Sequence, residues 1–224
     1  MKFHSLLLLL VATALPIIAS DEESSLKEAI QPRTAEGKWE FTSVYFEDGT
    51  MIPGGTTTEK VMEFRDLEGE RIYRIQLLND WRTLAERLTG QPIDPDSISY
   101  FWEYFNEDGS YNFSEDFDSP APPESLSDFS LTLPYPVEKN YGYEADGVDW
   151  KVVEVDREIT VPSGTFATVV YELSDVYEDD PENSTRERYY MAPGVGLVRW
   201  EMDLKGESGE WVLDMRDDLF SYNL

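Results

Sequence analysis

The side chains that most often perform catalysis are nearly absent from this chain. His4 is the only histidine, there is no cysteine, and 46 Asp and Glu residues stand against 18 Lys and Arg residues. Ser-His-Asp catalysis, Cys-His catalysis and zinc sites built on nitrogen or sulfur all need histidine or cysteine. A mature chain that has lost His4 contains neither residue, so these three kinds of site are excluded. The sequence also lacks a phosphate-binding glycine loop and a dinucleotide motif, so we predict no cofactor.

Carboxylates are the remaining groups able to act as acid and base. Glu103 and Glu115 lie on aromatic segments that we predict to be strands, and glycoside hydrolysis uses two such carboxyl groups. With 46 carboxylates in the chain, some pair lies at any chosen separation by chance, so we assign no catalytic residue. A carboxylate-dependent, glycosidase-like hydrolase stays open as an alternative function.

Calcium binding is the other chemistry that carboxylates permit. The stretch Asn106–Phe117 begins with alternating oxygen-bearing side chains, but Tyr111 stands where an EF-hand needs glycine and Phe117 where it needs glutamate. Asp175–Asp180 has charge without ligand spacing. Both are typical of acidic turns, so we predict no metal site, while calcium binding by these loops stays open.

Aromatic residues give the candidate ligand-binding positions. Ile98–Phe117 is predicted to be a hairpin turned at Asp108-Gly109, with Tyr104 opposite Phe113 and an aromatic core face. Phe101 and Phe105 then fall on the opposite, otherwise polar face. Either a helix or loop packs over these two phenylalanines, or they line the mouth of an apolar binding cleft.

The N-terminus has the pattern of an export signal. Lys2 precedes an apolar run that ends at Ala19-Ser20, which predicts a signal peptide over residues 1–20 that is too short to span a membrane. A retained anchor is the alternative, and the missing cysteine excludes a lipoprotein anchor. Residues 21–36 are predicted to be an acidic flexible tether, and the mature chain is expected to be secreted or periplasmic without a transmembrane helix.

The net charge of −28 limits the partners of the chain. Phosphates would be repelled, which excludes nucleic acid and anionic membranes as partners. Aromatic content and recurring alternating runs predict a folded β-rich domain over 37–224, with two lobes joined by loop 118–128 as an alternative. One helix is predicted at Trp81–Leu88.

Two turns late in the chain have strong local signals. Val161–Phe166 (VPSGTF) is predicted to be a hairpin with a three-residue loop, in which Val161 opposes Thr165 and Ile159 opposes Ala167. In Ala192–Gly196 (APGVG), proline followed by glycine predicts a type II turn, and the last glycine allows a bulge or a close backbone approach.

These two motifs, VPSGTF and the later YMAPGVGLV, resemble a group of uncharacterised bacterial secreted or periplasmic β-rich envelope proteins. The resemblance covers Leu133–Met202 and departs from the group at Lys139-Asn140-Tyr141. It implies an envelope location and an open half-barrel like that of lipoprotein-carrier domains. It supplies no catalytic residue.

We therefore predict a mainly β fold, in which an antiparallel, strongly curved sheet forms a partly open barrel with one short helix packed on it. The predicted function is non-catalytic binding of an apolar small molecule or an envelope protein. A hydrolase and a purely structural envelope protein are the alternatives. An enclosed apolar cup would favour binding, two facing carboxylates would favour hydrolysis, and a filled core would favour structure.

Overall fold

A computed structural model of the chain describes residues 29–47, 49–80, 96–113, 121–145, 148–176, 184–206 and 208–224. The strands in these ranges are β1 (Lys38–Glu47), β2 (Thr50–Leu67), β3 (Glu70–Asp80), β4 (Asp96–Asn106), β5 (Gly109–Phe113), β6 (Ser130–Pro134), β7 (Gly142–Ala145), β8 (Val148–Val161), β9 (Gly164–Asp175), β10 (Thr185–Ala192), β11 (Gly196–Lys205) and β12 (Trp211–Asn223).

All of these strands belong to one antiparallel sheet, in the order β6-β5-β4-β3-β2-β1-β12-β11-β10-β9-β8-β7. The two edge strands, β6 and β7, follow one another in the chain. The Tyr171 hydroxyl on β9 donates to the Pro134 carbonyl at 2.6 Å, and the Tyr143 hydroxyl on β7 donates to the Thr132 carbonyl at 2.9 Å. These bonds draw the two edges together, so the sheet is strongly curved and nearly closed into a barrel shape, which confirms the predicted fold class.

The inner face of the sheet holds most of the apolar core. One cluster joins Trp39, Ile75, Val161 and Leu219, which come from strands far apart in the sheet order and therefore meet only inside the curve. A second inner cluster contains Ile30, Val152, Tyr171 and Met191, among others. Burial of such side chains stabilises the fold by about 1.5–3 kcal/mol each.

A third cluster covers the opposite, outer face of β3, β4 and β5. Trp102 and Tyr104 pack there against Phe129, whose ring meets the Tyr104 ring edge-on with centroids 4.9 Å apart. Phe129 follows a single 3-10 turn, Leu126–Asp128, which is the one helical element in the described ranges. The helix predicted at Trp81–Leu88 lies outside them. No helix in the described part of the chain is long and apolar enough to cross a membrane.

The predicted register of the β8–β9 hairpin is wrong. Val161 pairs with Gly164 and Ile159 with Phe166, so the loop has two residues instead of three. This register puts the Phe166 ring beside Ile159 on the inner face, packed against the Trp39 cluster, and leaves Ala167 exposed. Burying a phenylalanine in place of an alanine removes more apolar surface from water, which favours the observed pairing.

The predicted register of the β4–β5 hairpin is also wrong, although its faces are correct. Tyr104 pairs with Tyr111 and Trp102 with Phe113, so the turn residues are Glu107-Asp108. Gly109 begins β5 with a φ of 142°, and a Cβ atom there would lie 2.2 Å from the Leu133 carbonyl oxygen of β6. Its lack of a side chain therefore permits close strand pairing.

The type II turn between β10 and β11 is confirmed. Gly194 has a φ of 79°, and the Val195 N–H donates to the Ala192 carbonyl at 2.9 Å. Gly196 has a φ of 101°, and a Cβ atom there would lie 3.5 Å from Cγ of Gln31. The expected close approach at this glycine is therefore made by the segment that precedes β1.

Replacing Gly194 with valine is expected to lower the free energy of unfolding by about 1–3 kcal/mol, because a β-branched residue is strained at positive φ. Gly142→Val is the matched control, since Gly142 is exposed on the edge strand β7 with only one atom within 4 Å of a Cβ position, at 3.8 Å. The control should change stability by no more than about 0.5 kcal/mol in urea unfolding. An unchanged midpoint for Gly194→Val would contradict the type II assignment.

Candidate functional site

The segment from Ala29 to Gly37, called here the entry segment, precedes β1, and its residues 29–33 are buried inside the curved sheet. Ile30 is 1% exposed and packs in the second inner cluster, and Gln31 and Arg33 are also buried. The Ala29 carbonyl accepts a hydrogen bond of 2.7 Å from the Gly194 N–H. These residues belong to the stretch expected to be a flexible tether, and from residue 29 to residue 33 the structure packs it into the core instead.

A buried ion pair holds the entry segment in place. Nε of Arg33 lies 2.5 Å from Oε2 of Glu103 on β4, and Nη2 lies 2.9 Å from Oε2 of Glu59 on β2. Arg33 and Glu103 are each 1% exposed. The guanidinium also lies over the Trp39 ring, 4.5 Å from its centroid. One side chain therefore connects three strands on the inner face.

Glu103, one of the two carboxylates considered for hydrolysis, is fully engaged in this arrangement. The Ser110 hydroxyl donates to its Oε1 at 2.7 Å, while Arg33 contacts its other oxygen. Burial raises the pKa of the Glu103 carboxyl, and the Arg33 guanidinium opposes that rise by stabilising the ionised form. Glu115 lies outside the described residues. Both oxygens of Glu103 therefore have partners within the protein, and Glu103 is not among the residues that line the two cavities described below.

Open space is found at one end of the sheet, called here the mouth, where the β2–β3, β4–β5, β8–β9 and β10–β11 turns lie. The first cavity has a volume of about 720 Å³. It is lined by Ala29, Glu70, Phe105, Asn106, Glu107, Tyr135 and Pro136. The entry segment therefore supplies part of its wall.

A second cavity of about 550 Å³ lies at the same end. It is lined by Tyr135, Pro136, Val137, Val155, Asp156, Thr165, Phe166, Ala167, Thr168, Val169, Ala192 and Pro193. Tyr135 and Pro136 line both cavities, so a ligand that passes over these two residues contacts both. The second cavity has one acidic residue in its lining, Asp156, and the first has two, Glu70 and Glu107.

The structure separates the two phenylalanines singled out in the sequence. Phe105 lines the first cavity, and its ring stacks on that of Tyr73 with centroids 6.4 Å apart. Phe101 pairs with Ile75, and both phenylalanines pack against the first inner cluster. Both side chains are half-buried. Phe105 is the stronger ligand-binding candidate because it also lines a cavity, whereas Phe101 is not among the residues that line either one.

Most residues that line the mouth could not be predicted from the sequence. Tyr135 and Pro136 follow a short edge strand, and Ala29 precedes the first strand by nine residues. No periodicity or spacing connects them with Phe105, because their proximity depends on closure of the whole sheet. The VPSGTF and APGVG motifs did indicate two of the contributing turns.

Metal ligation finds no support among the described residues. No group of three or more histidine, cysteine, aspartate or glutamate residues in that part of the chain is placed to hold a metal ion. Oδ1 of Asn106, the first residue of the EF-hand-like stretch, accepts a hydrogen bond of 2.9 Å from the Asp108 N–H and so serves the β4–β5 turn. Residues 114–117 and 177–180 of the two acidic stretches lie outside the described ranges.

Comparison with known proteins establishes a likeness of fold. The chain matches no protein-family model and no curated protein. Among solved structures, a putative lipoprotein from Parabacteroides distasonis ATCC 8503 is 16% identical with a TM-score of 0.54, over 88% of this chain and 99% of that one. A putative exported protein with a YmcC-like fold from Bacteroides fragilis NCTC 9343 is 13% identical with a TM-score of 0.53, over 87% of this chain and 98% of that one.

Arg33→Met is expected to lower the free energy of unfolding by about 3–5 kcal/mol, because it leaves the Glu103 carboxylate buried without its partner. The double variant Arg33→Met/Glu103→Gln should recover part of that loss. Lys38→Met is the matched control, since the Lys38–Glu40 pair is 42% and 41% exposed and should contribute less than about 1 kcal/mol. Equal urea midpoints for the Arg33 and Lys38 variants would contradict the structural role of the buried pair.

Moderate salt is expected to raise the melting temperature, because screening relieves the self-repulsion of a chain with a net charge of −28. Calcium and magnesium chloride should do so equally at matched ionic strength. Thermal unfolding in the two salts measures this. A calcium-specific rise at micromolar concentration would show that the acidic loops form a metal site.

Proposed function

We propose that this chain is a secreted or periplasmic binding domain without catalytic activity, and that it takes an apolar ligand in the two cavities of the mouth. The observation that carries this proposal is the 720 Å³ cavity lined by Phe105, Tyr135, Pro136 and Ala29. Ligand pockets typically measure about 300–1,000 Å³ and combine apolar walls with a few polar groups. Both cavities fall in that range and have that composition.

The rigidity of the walls supports binding over a purely structural role. Ala29 is fixed by its hydrogen bond to Gly194, and Arg33 fixes the same segment four residues later through its buried ion pairs. A site whose walls are held before the ligand arrives loses less conformational entropy on binding. A purely structural envelope protein would have no need for space of this size at one end of its core.

Export and an envelope location are part of the proposal. The support is the signal-peptide pattern over residues 1–20 followed by a single β-rich domain over residues 37–224. The fold likeness to proteins described as a lipoprotein and an exported protein agrees with that location.

The proposal is tested by comparing Phe105→Ala with Phe101→Ala, which remove the same side chain from the same face of β4. Binding is measured with the uncharged fluorescent probe N-phenylnaphthylamine, and stability is measured by urea unfolding. Loss of a phenylalanine contact of about 1.5–3 kcal/mol corresponds to at least about a tenfold weaker binding for Phe105→Ala. Phe101→Ala should lower stability and leave probe binding within about threefold, well under the 1.4 kcal/mol of a tenfold change.

The native ligand is sought by native mass spectrometry of the mature protein purified from its own envelope. A co-purified mass that is present with Phe101→Ala and lost with Phe105→Ala would support binding at the mouth. Failure of the wild-type protein to bind the probe, together with no added mass, would overturn the proposal.

A further inference from the structure

The charged residues that line the two cavities are all acidic. The first cavity has Glu70 and Glu107 in its wall and the second has Asp156, and no lysine or arginine is among the described residues that line either. Glu107 and Asp156 are exposed and Glu70 is half-buried. A head group at this rim therefore meets negative charge on either side.

Two arginines directly follow lining carboxylates in the chain, and both contact other groups. Arg71, next to Glu70, lies 3.9 Å from Asp66 and over the Phe64 ring, and Arg157, next to Asp156, lies 3.7 Å from Glu154. Two further arginines lie on β10 and β11, which form the neighbouring turn. Arg188 on β10 lies 3.1 Å from Glu201 and 3.0 Å from Asp203, and Arg199 on β11 lies 2.6 Å from Asp218. These side chains lie on the sheet face opposite Val198, which is buried in the inner core. Each of these arginines contacts at least one carboxylate, and none is among the residues that line either cavity, so the lining itself keeps a net negative charge.

The two cavities also differ in the residues that line them. The second presents Val137, Val155, Phe166 and Val169, whereas the first combines Asn106 and its two glutamates with the rings of Phe105 and Tyr135. Carboxylates together with aromatic rings are the combination that recognises ammonium groups, because the ring face attracts a cation. An alkyl chain suits the second cavity, and a cationic head suits the first.

We propose that the mouth binds a single-chain amphiphile with an amine or quaternary-ammonium head, with its chain in the second cavity and its head between Glu70 and Glu107 in the first. This inference rests on the proposed function and names the class of ligand. Tyr135 and Pro136, which line both cavities, lie under the junction of chain and head. Amphiphiles with a carboxylate, sulfate or phosphate head meet repulsion at the same place.

The test is displacement of N-phenylnaphthylamine by dodecyltrimethylammonium and by dodecyl sulfate, each below its micelle concentration. Wild-type protein should bind the ammonium amphiphile at least about tenfold more tightly at about 10 mM salt, which is 1.4 kcal/mol. The preference should shrink at about 1 M salt, where the screening length falls from about 30 Å to about 3 Å. Far-UV circular dichroism confirms that the protein stays folded with either amphiphile.

Two double variants distinguish the effect of the two cavity glutamates on head-group preference from the effect of the net charge of the whole protein. Glu70→Gln/Glu107→Gln should lose most of the preference for the ammonium head. Asp149→Asn/Glu210→Gln changes the net charge equally at exposed positions near the other end of the strands and should keep the preference. Equal behaviour of the two double variants would overturn the placement of the head.

The placement of the alkyl chain is tested with Phe166→Ala, which should weaken both amphiphiles by a similar factor and leave the preference unchanged. Phe220→Ala, at a ring that is 58% exposed, is the control and should change neither affinity. If dodecyl sulfate binds as tightly as the ammonium amphiphile, the inference fails while the proposed binding function stands. If neither amphiphile displaces the probe because the probe itself does not bind, the proposed function fails as well.

Discussion

The arrangement of this protein depends on one buried charge. Arg33 lies inside a curved sheet whose interior is otherwise largely apolar, and two carboxylates from β2 and β4 neutralise it. Removing charged groups from water costs several kcal/mol per ion, and good geometry with additional hydrogen bonds is needed to offset that cost. Here the Ser110 hydroxyl and the face of Trp39 supply the additional contacts. The pair is weak evidence for net stability, but it specifies where the entry segment lies.

The β10–β11 turn is in direct contact with the entry segment and with the strand that follows it. Gly194 gives its N–H to the Ala29 carbonyl, and the Val195 carbonyl accepts a 2.8 Å hydrogen bond from the Trp39 indole. Gly196 leaves room for Gln31. A motif that is understood locally as turn chemistry is therefore also a contact surface for a segment more than 150 residues earlier. Turn geometry alone accounts for the proline and first glycine, and the passing chain accounts for the second.

The features that could be predicted from the sequence were those set by neighbouring residues in the chain, namely strand alternation and turn type. Alternation placed Trp102 and Tyr104 on one face and Phe101 and Phe105 on the other, because the side-chain period of a strand is two whatever its partner. The type II turn followed from proline and glycine. Hairpin registers were missed, since shortening the β8–β9 loop by one residue or moving the β4–β5 turn by one residue conserves good turn chemistry, while global packing selects the pairing. Burial of the entry segment was missed because its partners, Glu59 and Glu103, are distant in sequence.

The residues of the mouth could not be predicted from the sequence either, because they are distant from one another in the chain and meet only when the sheet closes. Aromatic side chains such as Trp150 and Tyr189, whose ring centroids lie 5.2 Å apart, pack in and around the second inner cluster, and the entry segment fills the centre. At the mouth, short turns contribute few large side chains and the wall is completed by backbone and by Tyr135-Pro136. Space is left where four turns converge, and the polar groups of those turns are carboxylates in a chain with a net charge of −28. Cavities with acidic residues in their lining are therefore the expected product of closing an acidic sheet around the entry segment.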